Sequence, residues 1–113
     1  YEPIWYGWHE KSKSSFCDAR NLDDVWEIKR PRVSEEHPTM MPLDLPVRAI
    51  SNSSIIGEVV YEPFAGSGTT IISAHNLNRR CYAMEISEKY SAVILERFHT
   101  AFPNEKIEMV QDV

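Results

Sequence analysis

Long apolar runs are missing from the 113-residue chain: the longest, Ala92-Val93-Ile94-Leu95, stops at four residues, where a membrane-spanning helix needs roughly 20. No membrane span is expected. Cysteine is nearly absent. Cys17 and Cys81 stand 64 residues apart with no CxxC and no Cys/His cluster around either, the pattern of reduced, buried thiols in a cytoplasmic protein and not of a disulfide framework. An excess of positive charge is lacking too: 12 Lys and Arg face 17 Asp and Glu, a net charge of −5. Net charge therefore does not draw the chain to nucleic acid, although a local stripe is possible at Lys29-Arg30-Pro31-Arg32. The start, Tyr1-Glu2-Pro3-Ile4, has no initiator Met, basic leader or cleavage pattern, so neither a signal nor a transit peptide is expected, and the chain reads as a fragment.

What is present is one ordinary domain's worth of residues, 42% hydrophobic and 26% charged, with a change of character near residue 42. Residues 1–41 hold all three tryptophans and little periodicity. They read as an irregular, aromatic-rich segment that needs a neighbour, with Val25-Trp26-Glu27-Ile28 as its best strand. From residue 43 the pattern alternates as in an α/β fold. A helix begins near Asp44, whose carboxylate is expected to accept the first-turn amides, and ends at Asn52-Ser53-Ser54. Glu58-Val59-Val60-Tyr61 reads as a strand, Thr69 to Leu77 as a helix, and Cys81-Tyr82-Ala83-Met84-Glu85 as a strand covered on both faces. Ser87 caps a last helix that runs to Pro103, and Ile107-Glu108-Met109-Val110 is a possible third strand.

Chemistry concentrates in Glu62-Pro63-Phe64-Ala65-Gly66-Ser67-Gly68-Thr69-Thr70, between the first strand and its helix. Gly66 and Gly68 allow backbone angles closed to other residues and let a ligand approach the main chain. The helix that follows offers unpaired amides and a positive dipole end. The turn has neither the third glycine of GxGxxG nor the Lys of a P-loop, which weighs against pyrophosphate and triphosphate ligands. Glu85 lies 23 residues beyond Glu62, at the end of the next strand. An acid in that place can accept both hydroxyls of a ribose, or simply be a solvated strand-end acid. Glu62 can meet a cationic group of the ligand or cap the turn's amides.

Together with His37-Pro38-Thr39-Met40-Met41-Pro42-Leu43, Met84-Glu85, Lys89-Tyr90 and Arg97, these residues resemble the C-terminal half of a β-class DNA methyltransferase. That group includes N6-adenine and N4-cytosine enzymes. The resemblance implies a partial Rossmann-like fold of parallel strands and flanking helices, with residues 42–113 binding S-adenosylmethionine. It implies that His37, Pro38 and Thr39 border the methionine end of the cofactor, that Phe64, Ala65, Gly66, Ser67, Gly68 and Thr69 form the turn beneath it, and that Glu85 holds the ribose. Met41 stands where the family usually has Lys, and Glu62 where it more often has Asp, a shift of the carboxylate by about 1.5 Å.

The family's catalytic Pro-Pro-aromatic segment is absent, for no Pro-Pro pair occurs in the chain. The resemblance thus implies no catalytic residue here, a catalytic half upstream, DNA as the partner of the complete enzyme, and self-association through exposed aromatics. Two other readings stay open: a noncatalytic nucleotide-fold module, and a piece of a nicotinamide-dependent oxidoreductase.

Overall fold

The computed structural model of the protein describes residues 2–12, 23–29 and 41–110. Within them the element order is α1 (Asp44–Ser53), β1 (Val59–Glu62), α2 (Thr69–Asn76), β2 (Arg80–Ala83) and α3 (Glu88–Ala101). The fold class is α/β, as expected. Strands β1 and β2 run parallel, with Val59 opposite Arg80 and Glu62 opposite Ala83. A parallel pair needs a crossover, and α2 supplies it, packed on one face of the sheet beside α1.

Helix α1 starts differently from expectation. Leu43 occupies the cap position, and no side chain caps the helix; Asp44 is already the first helical residue, where its charge suits the positive dipole end. Pro46 is buried in the first turn, at little cost because that N–H would lack an intrahelical partner anyway. The far end is closed by Ser54, whose hydroxyl donates to the Ile50 carbonyl at 2.6 Å. In α3 the cap behaves as expected: Ser87 Oγ accepts from the Tyr90 N–H at 3.3 Å.

The core is small and sits between α1, α2 and the sheet. Ile50, Ala65, Ile72 and Ala74 are its buried apolar residues, joined by buried Thr69, Thr70, Ser73 and Asn52. Arg79 ties the ends of α1 and α2 together, donating to the Ser54 carbonyl at 2.7 Å, to Ser54 Oγ at 2.9 Å and to the Leu77 carbonyl at 2.7 Å. At the far end of α2, His75 packs edge-on against Phe98 and Phe102, with ring centroids 5.2 and 4.2 Å apart.

Three expectations are corrected. Strand β2 is covered on one face only: Tyr61, Tyr82, Val59 and Met84 remain exposed among the described residues, with the Tyr61 hydroxyl 3.4 Å from Met84 Sδ. Residues 107–110 form no strand and lie largely exposed, and residues 25–28 form none either. In both segments the side-chain pattern suits a strand, but a strand gains its ladder only from a neighbouring edge. Trp26 instead packs beneath the Arg48 guanidinium of α1, 4.8 Å from the ring centroid. Cys81 is a free, half-buried thiol on the sheet; Cys17 lies outside the described residues.

Candidate cofactor site

Three elements meet at the glycine turn: the C-terminal end of β1, the N-terminal end of α2 and the segment leaving β2. Gly66 has φ 56° and Gly68 φ 88°, so both occupy the left-handed region that favours glycine. Their surroundings differ. A Cβ on Gly66 would meet nothing within 4 Å, whereas one on Gly68 would stand 3.0 Å from Ile94 Cγ1 of α3. The expectation that both glycines admit a ligand therefore divides. Gly66 borders open space, and Gly68 makes room for helix packing.

The two acids clasp the turn. Glu62 is the last residue of β1; its Oε1 accepts the Phe64 N–H at 3.0 Å and its Oε2 accepts the Thr70 hydroxyl at 3.0 Å. Of the two roles open to Glu62, this arrangement is the capping one. Glu85 lies two residues beyond the end of β2 rather than within it. Its Oε1 accepts the Gly66 N–H at 2.8 Å and its Oε2 accepts the Ser87 N–H at 2.8 Å. One carboxylate thus joins the turn to the start of α3. A carboxylate has about four acceptor sites, so capacity remains on both oxygens of Glu85.

The amides of the turn are less free than its sequence suggests. Ala65 donates to the Met84 carbonyl and Gly68 to the Ala65 carbonyl, each at 2.9 Å. Among the described residues, the N–H groups of Ser67, Thr69 and Thr70 have no hydrogen-bond acceptor, as the exposed first turn of a helix leaves them. Beside these amides, Phe64 is 86% exposed and Ile86 fully exposed, each just past the end of a strand.

Arg97 of α3 completes the surroundings. Its Nη1 lies 2.7 Å from the Ser67 carbonyl oxygen, 3.0 Å from Ser67 Oγ and 3.2 Å from Thr69 Oγ1. Burial pushes the Arg97 pKa below its ordinary value. Burial, with the Glu62 charge second, pushes the Cys81 thiol up. His37, Pro38 and Thr39 lie outside the described residues. Met41, just after them, lines an apolar groove of about 440 Å³ with Ile4, Trp26, Pro46 and Val60, which Glu62 and Thr70 border as well.

Sequence reasoning placed Glu62, Phe64, Ala65, Gly66, Ser67, Gly68, Thr69 and Glu85 in one site, and the structure brings them together. It missed the part played by Ile94 and Arg97. Their signal was a spacing of three on the helix, which puts both on one face.

Comparison with known proteins agrees with this site. The family model described as DNA methylase matches residues 6–96. Over 82 residues the chain is 38% identical to the DNA adenine methyltransferase YhdJ of Escherichia coli, covering 69% of this chain and 28% of that protein. It is 37% identical over 76 residues to the type II methyltransferase M.BglII from Bacillus subtilis, covering 64% of this chain and 21% of the relative. The chain therefore spans only a fifth to a third of the length of such relatives. Among solved structures, the M1.HpyAVI complex with S-adenosylmethionine superposes with a TM-score of 0.65 at 27% identity, over 78% of this chain and 45% of that one. A DNA modification methylase of Thermus thermophilus, TTHA0409, complexed with S-adenosyl-L-methionine, gives 0.55 at 38% identity, over 57% of this chain and 27% of its own. With a strand, glycine turn, helix and acid-bearing strand in that order, and a family model matched over most of its length, this chain belongs to the DNA methylase family.

Proposed function

We propose that this chain is the cofactor-binding, C-terminal part of a DNA N-methyltransferase that moves a methyl group from S-adenosylmethionine to the exocyclic amino group of adenine or cytosine. The observation that carries the reading is the 2.8 Å bond from Gly66 N–H to Glu85, beside the open space over Gly66. It holds an anionic, hydroxyl-accepting group at the mouth of a main-chain turn.

The residues present fit the cofactor. Glu85 has acceptor sites left for ribose hydroxyls. The Ser67, Thr69 and Thr70 amides at the positive end of α2 suit polar or anionic parts of the ligand. Phe64 and Ile86 offer apolar surface to a purine. His37, Pro38 and Thr39 would border the methionine end, and no phosphate clamp is required. When bound, S-adenosylmethionine supplies an electrophilic methyl group on its sulfonium sulfur. The work of this chain is orientation: it fixes the adenosine through the turn, so that an amino nitrogen held elsewhere attacks in line. Exclusion of water follows as the remaining surface is covered.

Residues 1–41 would belong to the region after the catalytic motif, and residues 42–113 to the cofactor subdomain. The target base and the DNA site are read by the missing N-terminal half, so this chain alone does not methylate, and no catalytic residue is assigned within it. That half would also cover the exposed sheet face; without it the chain self-associates. A cytoplasmic enzyme, in some cases paired with a restriction partner, accords with the type II names among its relatives.

Isothermal calorimetry tests the reading. Micromolar binding of S-adenosylmethionine, lost in Gly66→Val, is the expected result. Binding of NADH with no affinity for the sulfonium would replace it with a nicotinamide-dependent role, and binding of neither would leave a noncatalytic module.

A further inference from the structure

The peptide unit between Ser67 and Gly68 is held at both ends. Its carbonyl oxygen receives the Arg97 Nη1 donor at 2.7 Å, and its N–H, on Gly68, donates to the Ala65 carbonyl at 2.9 Å. The same guanidinium nitrogen lies 3.0 Å from Ser67 Oγ and 3.2 Å from Thr69 Oγ1, so it serves oxygens on both residues that flank Gly68. Three positions earlier on α3, Ile94 occupies the space where a side chain at 68 would project.

We infer that Arg97 is a positioning residue for the cofactor turn, acting by locking the Ser67–Gly68 peptide in the orientation that leaves the Gly66 side open. The inference rests on the reading of this turn as the S-adenosylmethionine site. Its physical basis is the freedom of glycine. A peptide preceding Gly68 can rotate with little steric resistance, since no Cβ opposes the change. Rotation would swing the Ser67 carbonyl away from α3 and remove the Gly68 N–H from Ala65. A charge-assisted hydrogen bond to that carbonyl opposes both movements.

The acceptors chosen by Arg97 support this role. A guanidinium drawn partly out of water is ordinarily matched with a carboxylate. Among the described residues Arg97 has no such partner, and its donors go to neutral oxygens of one tight turn. Its location does not serve general surface electrostatics. Ile94 and Arg97 together make α3 the back wall of the turn, one by filling space and the other by fixing a dipole.

The test compares Arg97→Met, which keeps an apolar stem and removes the donors, with Arg97→Lys in the intact protein. Backbone amide hydrogen exchange is followed without cofactor, and S-adenosylmethionine binding by calorimetry. In Arg97→Met the Gly68 amide exchanges about tenfold faster or more, while the Ser91 and Phe102 amides of α3 change by less than about twofold. The cofactor Kd rises about tenfold, and Arg97→Lys recovers part of both effects. Unchanged protection at Gly68 overturns the inference. So does an equal loss at Ser91 and Phe102, which would mean that α3 had merely undocked. If Arg97→Met does not fold, intermediate Gly68 exchange in Arg97→Lys supports the role, and wild-type exchange there refutes it. Should the wild-type protein bind no S-adenosylmethionine, the cofactor reading falls while the exchange data still decide what Arg97 does.

Discussion

Glu85 reaches back 19 residues to accept the Gly66 N–H at 2.8 Å, so the acid after the second strand is part of the turn after the first. With Oε2 it also receives the Ser87 N–H. The side chain that would bind a ribose is thereby preorganised by two backbone donors, and its rotamer is set before a ligand arrives.

Glu85→Gln is expected to lose twice. Its amide keeps one acceptor oxygen for two backbone donors, and hydrogen bonds to charged groups contribute about 1.5–3 kcal/mol each. Calorimetry should show at least a roughly tenfold weaker S-adenosylmethionine affinity, with a lowered urea midpoint. An unchanged Kd would remove Glu85 from the cofactor site.

The two glycines should respond differently to alanine. Gly68→Ala combines a left-handed backbone with a Cβ 3.0 Å from Ile94, while Gly66→Ala carries the backbone strain alone. Left-handed strain costs roughly 1–2 kcal/mol, so both variants lose stability in urea melts, Gly68→Ala more. Equal losses would mean that Ile94 shifts aside without resistance.

Cys81 gives a prediction in pH. Burial raises its folded pKa above the ordinary value of 9.0, so the folded state favours the neutral thiol. Its contribution is complete below that value and declines as pH climbs past it toward the folded pKa, because the unfolded chain ionises first. Urea midpoints of the wild type and Cys81→Ala, compared from about pH 7 to about pH 10, should therefore converge or cross at the alkaline end. Iodoacetamide should also alkylate the folded protein more slowly than the unfolded one. A native thiol as reactive as the unfolded one contradicts this placement.

The uncovered sheet face leads to a prediction about assembly. Val59, Tyr61, Tyr82 and Met84 leave apolar surface in water on one side of the sheet. Residues 1–113 alone should scatter light as a dimer or larger species, and Tyr61→Lys with Tyr82→Lys should shift them toward monomer. A monodisperse wild-type monomer would argue that this face needs no cover.

Much of the frame was legible because its signals are local. The Ser87 cap, the β-branched Val59-Val60 and the glycines at 66 and 68 each act within a few residues, and the elements start within a residue or two of where those signals put them. The segments at 25–28 and 107–110 were misread because a strand pattern describes side chains alone. A ladder needs an edge, and none of the described strands supplies one there. Asp44 was misassigned for a similar reason: the helix begins at the acid itself, with Leu43 before it.

By itself, the sequence determined the order of strand, turn, helix and acid, since backbone freedom and side-chain periodicity are written residue by residue. Tertiary structure alone decided how those parts are used. It turned Glu62 to the Phe64 amide and the Thr70 hydroxyl, set Ile94 against Gly68 while Gly66 stayed open, and brought Arg97 to Ser67 across 30 residues. The physical reason is that a hydrogen bond or a contact depends on distance in space, and only the packing of α3 against the turn makes those distances short.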